Sequence, residues 1–166
     1  WEARLRQFTE IPDVLVNRCV IPVDAVNPEC IRLLCFSDVA EKAGGACIYA
    51  GYLRQNGEYS CQLLTAKSKL LDGSIPRNEL SGVSLMSELA FLVSKALSKF
   101  KLEISYFTDS TIALCWCHNV HKKLRMYTLN RVSTIRRMIG WTTGIDDDIP
   151  LFHLPGESNI ADLLTK

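Results

Sequence analysis

Four carboxylates stand where an α/β chain offers side chains to a ligand. Asp38 follows an apolar run, Glu79 opens a long apolar helix, Asp109 ends a short β-prone run, and Asp162 lies near the C-terminus. Alone, each reads as a turn, cap or surface residue, since Asp stabilises turns through its own backbone hydrogen bonds. Together they form a set of hard oxygen donors. Like charges crowded together raise one another's pKa unless a cation sits among them. Oxygen ligands in that number suit Mg²⁺ or Mn²⁺, not Zn²⁺. Two such ions support in-line attack on a phosphodiester, one generating hydroxide from water and the other stabilising the leaving 3′-oxygen. A second constellation, Cys115, Cys117, His118 and His121, has the C-x-C-H-x-x-H spacing of a zinc site. On a helix these side chains diverge, Cys115 and His118 to one side and Cys117 and His121 to another, so ordinary helix-face residues are expected.

The elements that must position the acids follow from periodicity. Ile31–Asp38 and Ala46–Leu53 are apolar, β-prone runs around a polar, glycine-rich turn, and Tyr59–Ser68 follows the Gln55-Asn56-Gly57 turn signal, giving an antiparallel meander. Leu70–Arg77 holds Gly73 and Pro76 and reads as a loop. From Asn78 the apolar positions Val83, Met86, Ala90, Val93, Leu97 and Phe100 step by three and four, with Glu79 on the same stripe. Ile104–Thr108 reads as a buried strand, Asp109-Ser110 as an N-cap pair, Thr111–Cys117 and Leu124–Ile139 as helices, Leu151–Leu154 as a last strand, and a closing helix is expected from Ser158. The order β-β-β-α-β-α-α-β-α implies an α/β domain, a mixed sheet with helices on its faces.

Bulk properties narrow the class. A chain of 166 residues fits one compact domain plus an extension. Seven cysteines, odd in number and mostly inside apolar runs, read as reduced core thiols and point to an intracellular compartment. No apolar run is long enough to span a bilayer. Trp1–Gln7 is amphipathic enough for a short helix, and Pro12, Pro22 and Pro28 then interrupt the chain, so residues 1–30 read as a lead-in to a domain over 31–166. Net charge is only +1, but Lys122, Lys123, Arg125, Arg131, Arg136 and Arg137 fall in a stretch without acids.

The segments CFSDVAEKAGGACIY, TAKSK, IPRNEL, YFTDST and HLPGESNIADLLTK, in this order, resemble the ribonuclease H domain of Bel/Pao-type retrotransposon polyproteins over Ile31–Lys166. Trp1 and VNRCVIP resemble the link after the reverse transcriptase in those polyproteins. The resemblance implies a ribonuclease H-like fold: a mixed five-stranded sheet, three antiparallel strands then parallel ones, with helices on both faces. It implies cleavage of the RNA strand of an RNA/DNA hybrid with two Mg²⁺ (or Mn²⁺) ions, in a cytoplasmic retrotransposon particle, beside a reverse transcriptase domain of the same polyprotein. It assigns Asp38 as the acid bridging both metals, Glu79 as the first-helix glutamate, Asp109 as the fourth-strand aspartate and Asp162 as the late one. Glu88 competes with Glu79 but lies a little over two turns further along. For such a substrate Asn78 and Ser110, beside Glu79 and Asp109, are the expected 2′-hydroxyl contacts, and Lys122, Lys123, Arg125 and Arg131 the expected phosphate contacts. Trp116 and Tyr127 could stack on a sugar or base, although aromatics on these helices are more often core. His153 is expected to be structural, with Glu157 or Ser158 in the turn after it.

Overall fold

The computed structural model describes residues 15, 18–119, 123–140 and 150–165. Three strands form the meander: β1 (Cys30–Val39), β2 (Ala43–Leu53) and β3 (Tyr59–Leu70). β4 (Lys101–Thr108) and β5 (Leu151–His153) complete a sheet ordered β3-β2-β1-β4-β5. β1, β2 and β3 pair antiparallel, whereas β4 pairs parallel with both β1 and β5. Among the described residues three α-helices, α1 (Ile75–Ala96), α2 (Thr111–His118) and α3 (Met126–Met138), accompany it. α1 lies on β1 and β2, α3 packs on α1, and α2 bridges α1 to β5. This is the expected mixed five-stranded α/β sheet, and its central strands hold the buried Leu33, Cys35, Ile48 and Ala50 against Leu80, Val83, Met86 and Ala90 of α1.

Several boundaries differ from expectation. α1 starts at Ile75, inside the stretch read as a loop, because Pro76 sits in the first turn, where its missing N–H has no partner to lose. It ends at Ala96, although Leu97 and Phe100 still pack on the core. In place of a closing α-helix the chain makes two 3-10 helices, Gly156–Ser158 and Ile160–Leu164. The second reaches the sheet beside β1 and β2. Gly44 and Gly45, read as turn residues, lie in β2. A Cβ on Gly45 would stand 2.5 Å from Leu164 Cβ, so the glycine admits the 160–164 segment to the sheet. Gly45 pairs with Asp38, while the adjacent pair, Gly44 with Val39, points to the other face. On that face α1 makes its closest approach: a Cβ on Gly82 would stand 2.5 Å from Val39 Cγ2. Helical structure thus meets the sheet from both sides at the end of β1.

Of the lead-in, the part from Arg18 onward is attached to this domain. Val20, Ile21 and Ala25 pack against the core, Ala25 bridges to Arg54, and Asp24 forms a salt bridge with Arg54 at 2.9 Å. The helix expected over Trp1–Gln7 lies outside the described residues. Of the cysteines, only Cys35, Cys47 and Cys117 are buried, and burial pushes their thiols up to about 12, 11 and 12. Cys19, Cys61 and Cys115 are exposed, which corrects the expectation that most are core, and all seven are free thiols.

Candidate active site

The parallel pairing of β1 with β4 brings the first two acids together. Ser37 pairs with Thr108, so Asp38 and Asp109 follow as the next residues at the same strand end. Thr108 pairs in turn with His153 of β5, which extends the row. Carboxyl ends of parallel strands are where open α/β sheets bind ligands. Glu79 arrives from α1, three residues before the Gly82 contact with Val39. Gly156 closes the edge of the site, since a Cβ there would lie 3.4 Å from Asp109 Oδ2.

Electrostatics identifies which charges share the space. Burial raises the pKa of Glu79 above the ordinary carboxylate range, the charges of Asp109 and Asp38 raise it further, and a hydrogen bond from Ser110 opposes them. Burial also raises Asp109, followed by the charge of Asp38, while His153 pulls the other way. Asp38 is 8 % exposed. Its Oδ2 accepts a short hydrogen bond from the Thr165 hydroxyl, and its Oδ1 lies 3.5 Å from Asn159 Nδ2. Asp38, Glu79 and Asp109 therefore form one interacting group. Asp162 sits half-buried in the 160–164 helix. Glu88 accepts from Ser84 at 3.1 Å and lines a separate cleft of about 310 Å³ with Lys67, Lys69 and Arg131. Among the described residues no three His, Cys, Asp or Glu side chains stand close enough to hold one ion as placed.

The expected 2′-hydroxyl contacts have structural partners. Asn78 is 4 % exposed, and its Oδ1 accepts the Gly73 N–H at 3.0 Å, tying the loop before α1 to its first turn. Ser110, 8 % exposed, caps α2 by accepting from Ala113 N–H at 3.1 Å. His153, expected to be structural, is exposed at the end of β5 beside Asp109. Glu157 and Ser158 occupy the 3-10 turn after it.

The basic stretch divides. Lys123 and Arg125 are exposed and line a cleft of about 370 Å³ with Arg77, Trp116 and Tyr127. The guanidinium groups of Arg77 and Arg131 lie 4.8 and 5.9 Å from the centroid of the Tyr127 ring. A hydrogen bond to Arg131, then one to Ser81, holds the Tyr127 hydroxyl below its usual pKa. Lys122 and His121 lie outside the described residues. Arg136 is not a free surface cation: it donates to Cys117 O at 2.8 and 3.0 Å and to Asn119 O at 3.0 Å, holding the C-terminal end of α2. Arg136→Met is accordingly expected to cost about 2 kcal/mol of stability, since charged hydrogen bonds are lost. Thermal melts check this. Of the C-x-C-H-x-x-H residues, Cys117 is in the core, Cys115 is exposed, and His118 Nε2 bonds Leu151 O at 3.0 Å.

Asn159 and Thr165, which orient Asp38, and Gly82 and Gly45, which seat the flanking helices, are not apparent as functional residues from sequence. Gly82 did leave a signal, because a glycine inside a helical stripe costs about 1 kcal/mol against alanine and requires a reason.

A family model described as Pao retrotransposon-like RNaseH-like domain matches residues 1–110. Among solved structures, the N-terminal RNase H domain of a Mycobacterium tuberculosis protein, fused to maltose binding protein, is similar at a TM-score of 0.53 and 13% identity, covering 81% of this chain and 91% of that one. LC11-RNase H1 in complex with RNA/DNA hybrid is similar at a TM-score of 0.50 and 16% identity, covering 81% and 92%. At these identities the likeness is one of fold. No curated protein matches the sequence. No helix among the described residues is long and apolar enough to cross a membrane.

Proposed function

The chain belongs to the family of Pao retrotransposon-like RNaseH-like domains, and from that footing we propose that it is a metal-dependent endonuclease that cleaves the RNA strand of RNA/DNA hybrids during reverse transcription. The observation that carries this reading is the convergence of Asp38, Glu79 and Asp109 from two parallel strand ends and a helix, close enough for each of the latter two to feel Asp38. Asp162, on the adjoining 3-10 helix, is the fourth acid of the proposal. The donor chemistry fits Mg²⁺ or Mn²⁺: the set is oxygen only, and burial, with mutual repulsion added to it, raises Glu79 and Asp109, a repulsion that a divalent cation relieves. When bound, two such ions supply an activated water and a stabilised leaving oxygen.

The remaining work falls to this chain's own side chains. Ser110 favours the charged form of Glu79, and Asn159 and Thr165 hold Asp38. His153 is exposed beside Asp109 at the rim of the site. Lys123, Arg125 and Arg131, with Lys122, would meet the phosphates of the hybrid, and Tyr127, beside Arg77 and Arg131, offers a ring face at the same surface. Asn78 and Ser110 remain candidate neighbours of the 2′-hydroxyls through groups not already engaged. We assign residues 1–30 as the link from a preceding reverse transcriptase region and 31–166 as the nuclease unit, working in a cytoplasmic retrotransposon particle.

The test uses labelled RNA/DNA hybrid, RNA duplex and DNA duplex, each with and without Mg²⁺. Cutting is expected only in the hybrid, only on its RNA strand and only with the ion. Hybrid binding without cleavage at any Mg²⁺ or Mn²⁺ concentration would instead identify a connecting module that keeps the fold.

A further inference from the structure

We infer that Asn159 and Thr165 are positioning residues that fix the Asp38 carboxylate for ion binding, one acting at each oxygen; the inference rests on the metal-dependent reading above. Asp38 is buried, yet among the described residues no cationic side chain forms a salt bridge with it. Its orientation is held by neutral donors. Thr165 Oγ1 donates to Oδ2 and also lies 3.2 Å from Asp162 O, which ties the segment carrying the fourth acid to the first. Asn159 Nδ2 donates to Ser37 O at 2.9 Å and stands 3.5 Å from Asp38 Oδ1. This puts one amide against both the backbone and the side chain at the end of β1.

Both donors are themselves fixed. Asn159 is 4 % exposed, and its Oδ1 accepts the Ala161 N–H at 3.2 Å. Thr165 follows Leu164, whose Cβ occupies the space beside Gly45 and whose carbonyl accepts from Ser68 Oγ at 3.1 Å. Gly45 is the β2 partner of Asp38, so the 159–165 segment is docked against the strand pair that carries the acid. Neutral donors suit this task. A lysine or arginine at either place would cancel the carboxylate's charge and compete with the cation, whereas an amide and a hydroxyl fix its direction and leave the charge available. Hydrogen-bond partners of metal-binding groups typically contribute about 10- to 100-fold in affinity or activity.

The test measures Mn²⁺ binding directly, by electron paramagnetic resonance of free and bound ion without substrate, alongside thermal melting. Thr165→Val keeps the shape and loses the hydroxyl; it is expected to weaken Mn²⁺ binding about tenfold and to lower the melting temperature by roughly 2–4 °C, since a buried carboxylate loses a donor. Thr165→Ser is expected to restore binding to within about twofold of the parent. Asn159→Ser keeps an oxygen for the Ala161 N–H but removes the amide that reaches Asp38, and a similar weakening is expected. Parental Mn²⁺ affinity in Thr165→Val and Asn159→Ser, or failure of Thr165→Ser to rescue, overturns the inference while leaving the nuclease reading intact. A parent chain that binds no Mn²⁺ and cuts no hybrid overturns the nuclease reading and this inference together.

Discussion

Asp109→Asn is expected to lose at least about a thousandfold of Mg²⁺-dependent hybrid cleavage and, without divalent ions, to melt slightly higher than the parent. The loss follows from removing one of three converging carboxylates and its charge toward the ion. The gain follows from linkage. Burial and Asp38 raise the Asp109 pKa above the ordinary range, so in the ion-free fold this carboxyl keeps its proton at pH values where the unfolded chain has released it. Stability therefore falls as pH rises from about 4, the ordinary aspartate value, through the raised value, and the cost persists at neutral pH. Asparagine removes that cost. Asp109 is half-buried at the rim of the site, so solvent screening leaves about 0.5 kcal/mol, or roughly 1–2 °C. Melting curves at pH 3.5 and pH 7.5 in chelator separate the two states, with the variant's advantage present at the higher pH and absent at the lower. Added Mg²⁺ should reverse the order, since only the parent gains much from the ion. A variant that melts lower than the parent in chelator at pH 7.5 would show that the acids do not repel one another in the fold.

Gly82→Val is expected to abolish most activity without touching an acid. A Cβ at residue 82 would sit 2.5 Å from Val39 Cγ2 and 3.6 Å from the Asp38 carbonyl oxygen, so the larger valine forces Val39 or the helix to shift. Overpacking of this kind costs about 2–3 kcal/mol, a drop of roughly 5–10 °C. It must also lift α1 away from the end of β1 and carry Glu79 with it. A displacement on the order of 1 Å is enough to reduce the rate about a hundredfold. Gly51→Ala is the control: a Cβ there meets nothing closer than Cys61 Sγ at 3.6 Å. It should retain activity and lose little stability, as circular dichroism melts and single-turnover cleavage would show.

The meander, the long helix and the strand carrying Asp109 are legible in the sequence, because apolar spacing changes from two to three-and-four at the right places. The register that places Asp38 beside Asp109 is not, since it depends on a parallel pairing of strands about seventy residues apart. Gly44 and Gly45 read as a turn because glycine favours turns. In the fold they are strand residues whose missing side chains make room for Leu71 and Leu164. Pro76 reads as a breaker for the converse reason, although in a first helical turn it breaks nothing. Arg136 shares its charge with the cations around it but lies next to buried Ile135, on the inner edge of α3. Periodicity rather than composition would have separated it from the binding face. Asn159 and Thr165 carry no local signature of their role, because the group they serve lies at the other end of the chain.

Gly82 and Gly45 bear on how copies of such an element would be sorted in a genome. Tallying intact acids would count a copy as competent whenever Asp38, Glu79, Asp109 and Asp162 survive. Two further codons matter by this structure, one where α1 touches β1 and one where the 160–164 segment enters beside β2. A single nucleotide change from any glycine codon yields valine or alanine. A copy with four perfect acids and a side chain at residue 82 would thus be scored as live by its motifs and be a fossil by its packing.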